Sequence, residues 1–147
     1  MTLNQLSIFL ENRSGTLTKV LDLFKEAHIR IIASSIADTA QYGLLRIICV
    51  EPQRAYHELE RAGVAVALSD VFAVELDERP GQIAQVVRDL SEAEIGIVYM
   101  YSLFLHGKGL LIIRADKPEE ARKVIRQTGL RCVPEAELPD WGNKACQ

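Results

Sequence analysis

"LENRSGTLTKVLDLFKEAHIRI", residues 10–31, and "LDERPGQIAQVVRDLSEAEIGI", residues 76–97, are two spellings of one segment. Each closes an alternating apolar stretch, passes through a polar turn that ends in glycine, and continues into apolar residues at helical spacing. Aligning Gly15 with Gly81 sets an offset of 66 residues that holds without a gap. It pairs Leu10 with Leu76, Arg13 with Arg79, Val20 with Val86, Ala27 with Ala93, Ile29 with Ile95 and Ile31 with Ile97. "GLL" at 43–45 matches "GLL" at 109–111, and Pro52, Ala55 and Gly63 match Pro118, Ala121 and Gly129. Identities spread this widely at one register mark a duplicated unit. The duplication overrides the single domain that 147 residues would otherwise suggest.

Each copy reads as the same series of elements. Leu6, Ile8 and Leu10 alternate on one face, as do Val74 and Leu76, and a period of two means a half-buried strand. Leu17, Val20, Leu21, Phe24 and Ala27 then fall at helical spacing, as do Ile83, Val86, Val87, Leu90 and Ala93, so one apolar stripe lies on a sheet. Residues 29–36 and 95–105, rich in β-branched and aromatic side chains, read as second strands. Gly43 and Gly109 read as turns into third strands over 44–50 and 110–115. Pro52 and Pro118 stand where a helix start has no use for an N–H, and Ala55, Leu59 and Ala62, like Ala121, Ile125 and Thr128, line a second helix. Gly63 and Gly129 suit a helix C-terminus, and residues 64–68 and 130–133 supply fourth strands.

The order β-α-β-β-α-β, twice, is the ferredoxin-like plan. The expected fold class is α+β: two βαββαβ repeats, each an antiparallel sheet with helices on one face. The expected domains are 1–69 and 70–138, with a tail over 139–147. Ser69 and Asp70 alone would separate the copies, which leaves no free hinge. Residues after Pro134 match neither copy, and Trp141 there reads as a docking residue or as part of a frayed end.

Composition excludes several function classes. Apolar residues make up 48% and charged residues 25%, ordinary for a globular chain with a real core, and the formal charge is −3. Neither half is basic, so a nucleic-acid surface has no electrostatic footprint. No apolar run approaches a membrane span, and the first residues lack the layout of a signal peptide. The expectation is a cytoplasmic chain with no membrane and no nucleic-acid partner. Cys49, Cys132 and Cys146 form no CxxC pair, and His28, His57 and His106 are scattered, which argues against a metal site. No paired carboxylates, no nucleophile beside a histidine and no phosphate loop are present, so the expectation is a protein that is not an enzyme and needs no cofactor.

The repeated turn has its own chemistry. A strand-to-helix turn presents the free N–H groups of the first helical turn, reinforced by the helix dipole, and binds anions such as carboxylates. Gly15 and Gly81 put no Cβ in the way. Glu11 and Asn12, then Asp77 and Glu78, supply acceptors just upstream. An acceptor beside an anion site suits a zwitterion, and a free amino acid is the simplest one. The bland alternative is that Asn12 or Ser14 only caps its helix and Pro80 only starts one.

The two quoted segments resemble the opening of the ACT domain: a polar or acidic residue, a basic residue, Pro-Gly, an apolar position, a helix, then Gly-Ile-Asn-Ile. The match covers both copies, to about residue 133, and resembles a stand-alone tandem ACT protein with no catalytic domain attached. The resemblance implies an amino-acid-binding regulator of amino-acid metabolism, with ligands between the first turn of one domain and the second-strand start of its neighbour. Carried over, the turns are Asn12, Arg13, Ser14, Gly15, Thr16 and Leu17, then Glu78, Arg79, Pro80, Gly81, Gln82 and Ile83. The strand starts are Arg30, Ile31 and Ile32, then Gly96, Ile97 and Val98. The family's strand asparagine is Arg30 in one copy and Gly96 in the other, and Ser14 replaces the first proline. Tyr99, alternating with Tyr101 in "IVYMYSLF", adds an aromatic that either packs on the sheet or meets a ligand side chain. The implied partners are a free amino acid, a second copy in a homodimer that closes the sheet edges, and a metabolic enzyme. A rival reading keeps the regulatory role and makes docking to an enzyme partner its main business. An RNA-binding module of the same topology is disfavoured by the charge and by an aromatic-free third strand.

Overall fold

The computed structural model of the chain describes residues 3–11, 14–38, 42–105 and 107–145. Two compact units emerge, one built from Asn4–Ser69 and one from Asp70 onward together with Leu3. The N-terminal repeat comprises β1 (Leu3–Glu11), α1 (Thr16–Glu26), β2 (Ile31–Asp38), β3 (Tyr42–Cys49), α2 (Pro52–Arg61) and the beginning of β4 (Val66–Asp77). The C-terminal repeat comprises the rest of β4, α3 (Gln82–Glu92), β5 (Ile97–Leu105), β6 (Lys108–Ala115), α4 (Pro118–Gln127) and β7 (Cys132–Val133). The strand order is β2-β3-β1-β4 in the first and β5-β6-β4-β7 in the second. The fold class is α+β, with the βαββαβ plan written twice.

The repeat register of the sequence is a register of hydrogen bonds. Leu6, Ile8 and Leu10 pair with Ile47, Leu45 and Gly43, and Phe72, Val74 and Leu76 pair with Ile113, Leu111 and Gly109, each partner shifted by the same 66 residues. The Phe9 N–H donates to the Ala65 carbonyl at 3.0 Å, and its counterpart, the Glu75 N–H, donates to the Arg131 carbonyl at 2.9 Å. Each unit has one helix-side core. Leu6, Ile8, Val20, Phe24, Leu45, Ile47 and Leu59 make the first, and Phe72, Val74, Val86, Leu90, Leu111, Ile113 and Ile125 the second.

Several boundaries differ from the sequence expectation, each for a local reason. Ile29 and Ile95 precede the second strands instead of starting them. His28 and Glu94 take the left-handed backbone at φ 55 and 58, and each helix ends in a Schellman motif without glycine. Thus the Ile29 N–H returns to the Phe24 carbonyl and the His28 N–H to the Lys25 carbonyl, with Ile95 and Glu94 doing the same toward Leu90 and Ser91. Leu21 stands exposed, and Leu23 packs on the core in its place. Ala93 and Thr128 are exposed too. Gly43 and Gly109 lie inside β3 and β6 and are not turns.

No linker interrupts the chain at Ser69–Asp70, because β4 runs through both residues as one strand. Helices lie on one face of each sheet, but the opposite face is no open surface. Gln5, Ser7 and Ile48 are buried in the first repeat, and Val71, Ala73, Leu110 and Ile112 in the second. After β7 comes a 3-10 turn, Glu135–Glu137, and then helix α5 (Leu138–Ala145). Trp141 is 6% exposed within α5, so it belongs to the packed body and is not a frayed end. No helix among the described residues is long and apolar enough to cross a membrane.

Candidate functional site

Both turns put glycine at the helix N-cap in the left-handed region, Gly15 at φ 92 and Gly81 at φ 88. Glycine has no side chain to cap with, and neither helix has a side-chain cap there. The first helical bonds run from the Lys19 N–H to the Gly15 carbonyl and from the Gln85 N–H to the Gly81 carbonyl, so the N–H groups before them lie ahead of the helical ladder. A Cβ at either glycine would meet nothing within 4 Å. The glycine is therefore demanded first by the backbone angle, and the space above it is open.

The turns are braced from the side. In the C-terminal repeat the Asp77 N–H donates to Gln82 Oε1 at 2.7 Å. Asp77 accepts from the Arg79 N–H at 2.8 Å and from Arg79 Nε at 2.7 Å. The backbone N–H and the guanidinium of Arg79 hold the Asp77 carboxyl below the usual carboxylate range. Arg79 is thus spent locally, neutralising Asp77. In the N-terminal repeat Thr16, the counterpart of Gln82, donates its hydroxyl to the Glu11 carbonyl at 2.9 Å. Asn12 and Arg13 lie outside the described residues; Ser14 is exposed.

Beside the second turn opens a cleft of about 280 Å³, lined by Leu76, Asp77, Glu78, Arg79, Gly81, Gln82, Ile83, Ala84 and Phe104. Six of the residues singled out from sequence (Asp77, Glu78, Arg79, Gly81, Gln82 and Ile83) meet here; Pro80 borders a neighbouring groove with Thr128 and Leu130. Glu78 makes no ion pair among the described residues. Its carboxylate reaches toward the β5–β6 hairpin, where a Cβ on Gly107 would stand 3.4 Å from Oε1. The cleft therefore offers bare N–H groups for an anion, a carboxylate for a cation and an aromatic wall.

That wall is Phe104, which sequence reasoning missed. Its ring lies over Gly109, where a Cβ would come within 2.5 Å of Cε1. The signal was present in "IVYMYSLF", but the helix-side positions are set by a bulge between Ile97 and Tyr99 that sequence alone does not show. After the bulge Met100, Ser102 and Phe104 pair with Ile113, Leu111 and Gly109 and share the helix face. Tyr99 and Tyr101 pair with Arg114 and Ile112 on the other face. Their rings stack 6.5 Å apart at 22°. Within its unit Tyr99 is therefore not brought to the turn.

Nor are the strand starts. Ile31 and Ile97 follow the C-termini of α1 and α3, while the glycines precede the N-termini. Eleven helical residues separate the two ends by about 16 Å. Ile32 and Val98 sit in matching bulges, Val98 58% exposed. Gly96, where the family pattern leads toward asparagine, receives a carboxylate instead: its N–H donates to Asp116 Oδ1 at 2.9 Å, and a Cβ would stand 2.6 Å from Oδ2. In the first repeat Arg30 is exposed and its carbonyl accepts from the Val50 N–H at 3.0 Å. Among the described residues no three His, Cys, Asp or Glu side chains gather as a metal site would require.

Comparison with known proteins gives the same plan. The sequence model of the ACT domain pair matches residues 1–141. A solved structure of protein BT0572 from Bacteroides thetaiotaomicron is 33% identical, covering 94% of this chain and 96% of that one, with a TM-score of 0.89. The ligand-free regulatory subunit of aspartate kinase from Thermus thermophilus superimposes with a TM-score of 0.64 at 17% identity, over 84% of this chain and 91% of that one. The corresponding subunit from Thermus flavus gives 0.60 at 17%, over 84% and 90%. These last two likenesses are of fold. No curated protein matches the chain.

Proposed function

The chain belongs to the ACT domain family as a domain pair, and we propose that it is a regulatory protein that senses a free amino acid through the turn of its C-terminal repeat. ACT domains are regulatory modules, which gives the chain a regulatory role of the amino-acid-sensing kind in general. The finer reading rests on one observation: the cleft at Gly81 joins bare helix-start N–H groups, the Glu78 carboxylate and the Phe104 ring in about 280 Å³. The ligand carboxylate meets the N–H groups of the first turn of α3. Its ammonium meets Glu78, and its side chain lies along Phe104. Since Ile97 and Val98 lie at the far end of α3, a strand start on the opposite side of the ligand comes from another ACT domain. The regulatory output passes to an amino-acid-metabolising enzyme; the alternative, a subunit that acts by docking alone, predicts no ligand.

A thermal-shift series with the twenty amino acids tests this. Ligand bound to the native state alone stabilises by about 2.7 kcal/mol at a hundredfold excess over Kd. For a chain of this size that is a shift of roughly 5–10 °C. Glu78→Gln removes the ammonium partner at an exposed position and should suppress the shift with the fold retained. No shift from any amino acid at millimolar concentration leaves the docking reading in its place.

A further inference from the structure

We infer that the cleft at the second turn selects a large apolar side chain, that Phe104 sets this choice, and that each chain takes one such ligand. The inference rests on the amino-acid reading above and narrows it to amino acids with large aliphatic or aromatic side chains.

Strand register builds the seat. Leu76 of β4 and Phe104 of β5 both pair with Gly109 of β6, so the three form one row across the sheet on the helix face. Gly109 is buried and leaves a gap in the middle of that row. Phe104 leans into the gap, with Cε1, Cδ1 and Cζ at 2.5, 2.8 and 3.1 Å from where a Gly109 Cβ would stand. The ring is thus seated on backbone, yet the residue stays 54% exposed. Leu76, 2% exposed, closes the floor, and Ile83 and Ala84 of α3 complete the apolar side of the cleft. A large apolar side chain covers this surface and gains by removing it from water, whereas that of alanine is too short to do so.

The rim rejects a second charge. Asp77 and Arg79 are bonded to each other, and Glu78 faces the ligand ammonium. A glutamate side chain would bring another anion beside two carboxylates, and its one candidate cation is already engaged. A lysine side chain would lay its charge along the apolar row, away from water. The first repeat lacks the seat altogether. Its corresponding row is Leu10, Gly43 and Asp38, with an acidic residue where Phe104 stands. The cleft beside its turn takes its lining from β1, α1 and residues 63–65.

Calorimetric titration of the full chain with leucine, methionine, phenylalanine, alanine, glutamate and lysine tests this. At least one of the first three should bind about tenfold or more tighter than each of the last three, at one ligand per chain. Phe104→Ala should erase that margin by weakening the large ligands while leaving alanine where it was. Phe104→Leu should keep the margin for leucine and methionine, which a wall that is merely apolar still serves. Met100→Ala, on the same strand and face but outside the cleft, should change nothing. Circular dichroism accompanies each variant; if Phe104→Ala fails to fold, Phe104→Ser and the Phe104→Leu profile carry the test. Tightest binding of alanine, glutamate or lysine, or a margin that survives Phe104→Ala, overturns the selectivity and leaves the amino-acid reading standing. Two ligands per chain overturn the single seat. A parent that binds none of the twenty amino acids overturns both readings together.

Discussion

The two repeats use one backbone and put different things at the same corner of it. In the N-terminal repeat Asp38 of β2 pairs in register with Gly43 of β3; in the C-terminal repeat Phe104 of β5 pairs with Gly109 of β6. A Cβ on Gly43 would find Leu10 Cβ at 3.8 Å, an ordinary contact, whereas on Gly109 it would enter the Phe104 ring. One glycine, kept in both copies, has a steric reason in only one. The edge strands diverge likewise, serines and a terminal aspartate on β2 against an apolar run on β5. A shared letter in a duplicated sequence thus reports shared ancestry of backbone, and the chemistry must be read from what the copies do not share.

The largest asymmetry is α5, which follows the second repeat and has no counterpart after the first. Trp141 is buried there, with its indole N–H unpaired among the described residues. Trp141→Ala should cost about 3–5 kcal/mol, the range for truncating a large buried aromatic, read as a fall in the urea midpoint. Trp141→Phe should cost clearly less, since it keeps most of the volume and removes the orphaned donor. Equal losses from the two would mean that the indole N–H has a partner in solution.

At the turns the repeats should behave alike in stability and differ in binding. Gly15→Ala and Gly81→Ala each force a Cβ into left-handed backbone and should each cost about 1–2 kcal/mol. Space is not the cause, since nothing lies within 4 Å. Only Gly81→Ala should weaken the amino-acid thermal shift. If Gly15→Ala abolishes the shift and Gly81→Ala does not, the ligand site belongs to the first turn.

These asymmetries show where the sequence is legible. The offset of 66 residues carries the element order, the pairing of the strands and the two glycine turns, because hydrophobic period and turn chemistry are local. It does not carry the bulges at Ile32 and Val98, which depend on how two strands settle against each other. That one-residue shift sends Tyr99 to the face away from the helices and Phe104 to the cleft. It also does not carry the helix ends at His28 and Glu94, where tertiary anchoring of Ile29 and Ile95 holds non-glycine residues left-handed. Tandem identity likewise hid the continuity of β4, since Ser69 and Asp70 look like a joint and lie within one strand.

The corner itself gives a contrast of sign. Gly43→Ala removes a flexible glycine from a strand with room for a methyl, and should stabilise by about 0.5 kcal/mol. Gly109→Ala drives a methyl into the Phe104 ring and should destabilise by about 1 kcal/mol, the low end of overpacking, because an exposed ring can swing outward. Chemical denaturation of the two variants checks the opposite signs. Two changes of the same sign would mean that Phe104 does not rest on Gly109 in solution.

The smallest effect is a titration, and it separates the turns by charge. Asp77 lies opposite Glu11 in the repeat alignment, and it accepts from both the N–H and the guanidinium of Arg79. Both donors favour the ionised carboxylate, so its folded pKa lies below the unfolded value of about 3.9. A depressed carboxylate pKa contributes stability that is complete above the unfolded value and is lost as pH falls through the folded one. The brace is therefore intact at neutral pH and released only in acid, below about pH 4. Asp77 and Arg79 keep 48% and 73% of their side chains in solvent, so the change in global stability should be slight. The carboxyl carbon shift of Asp77, followed by NMR against pH, measures it directly. Arg79→Ala should raise the midpoint only part of the way toward the ordinary value, because the backbone N–H at residue 79 remains and is the larger cause. A midpoint in the parent at or above the ordinary value would show the second turn open in solution, and with it the cleft that Asp77 and Arg79 line.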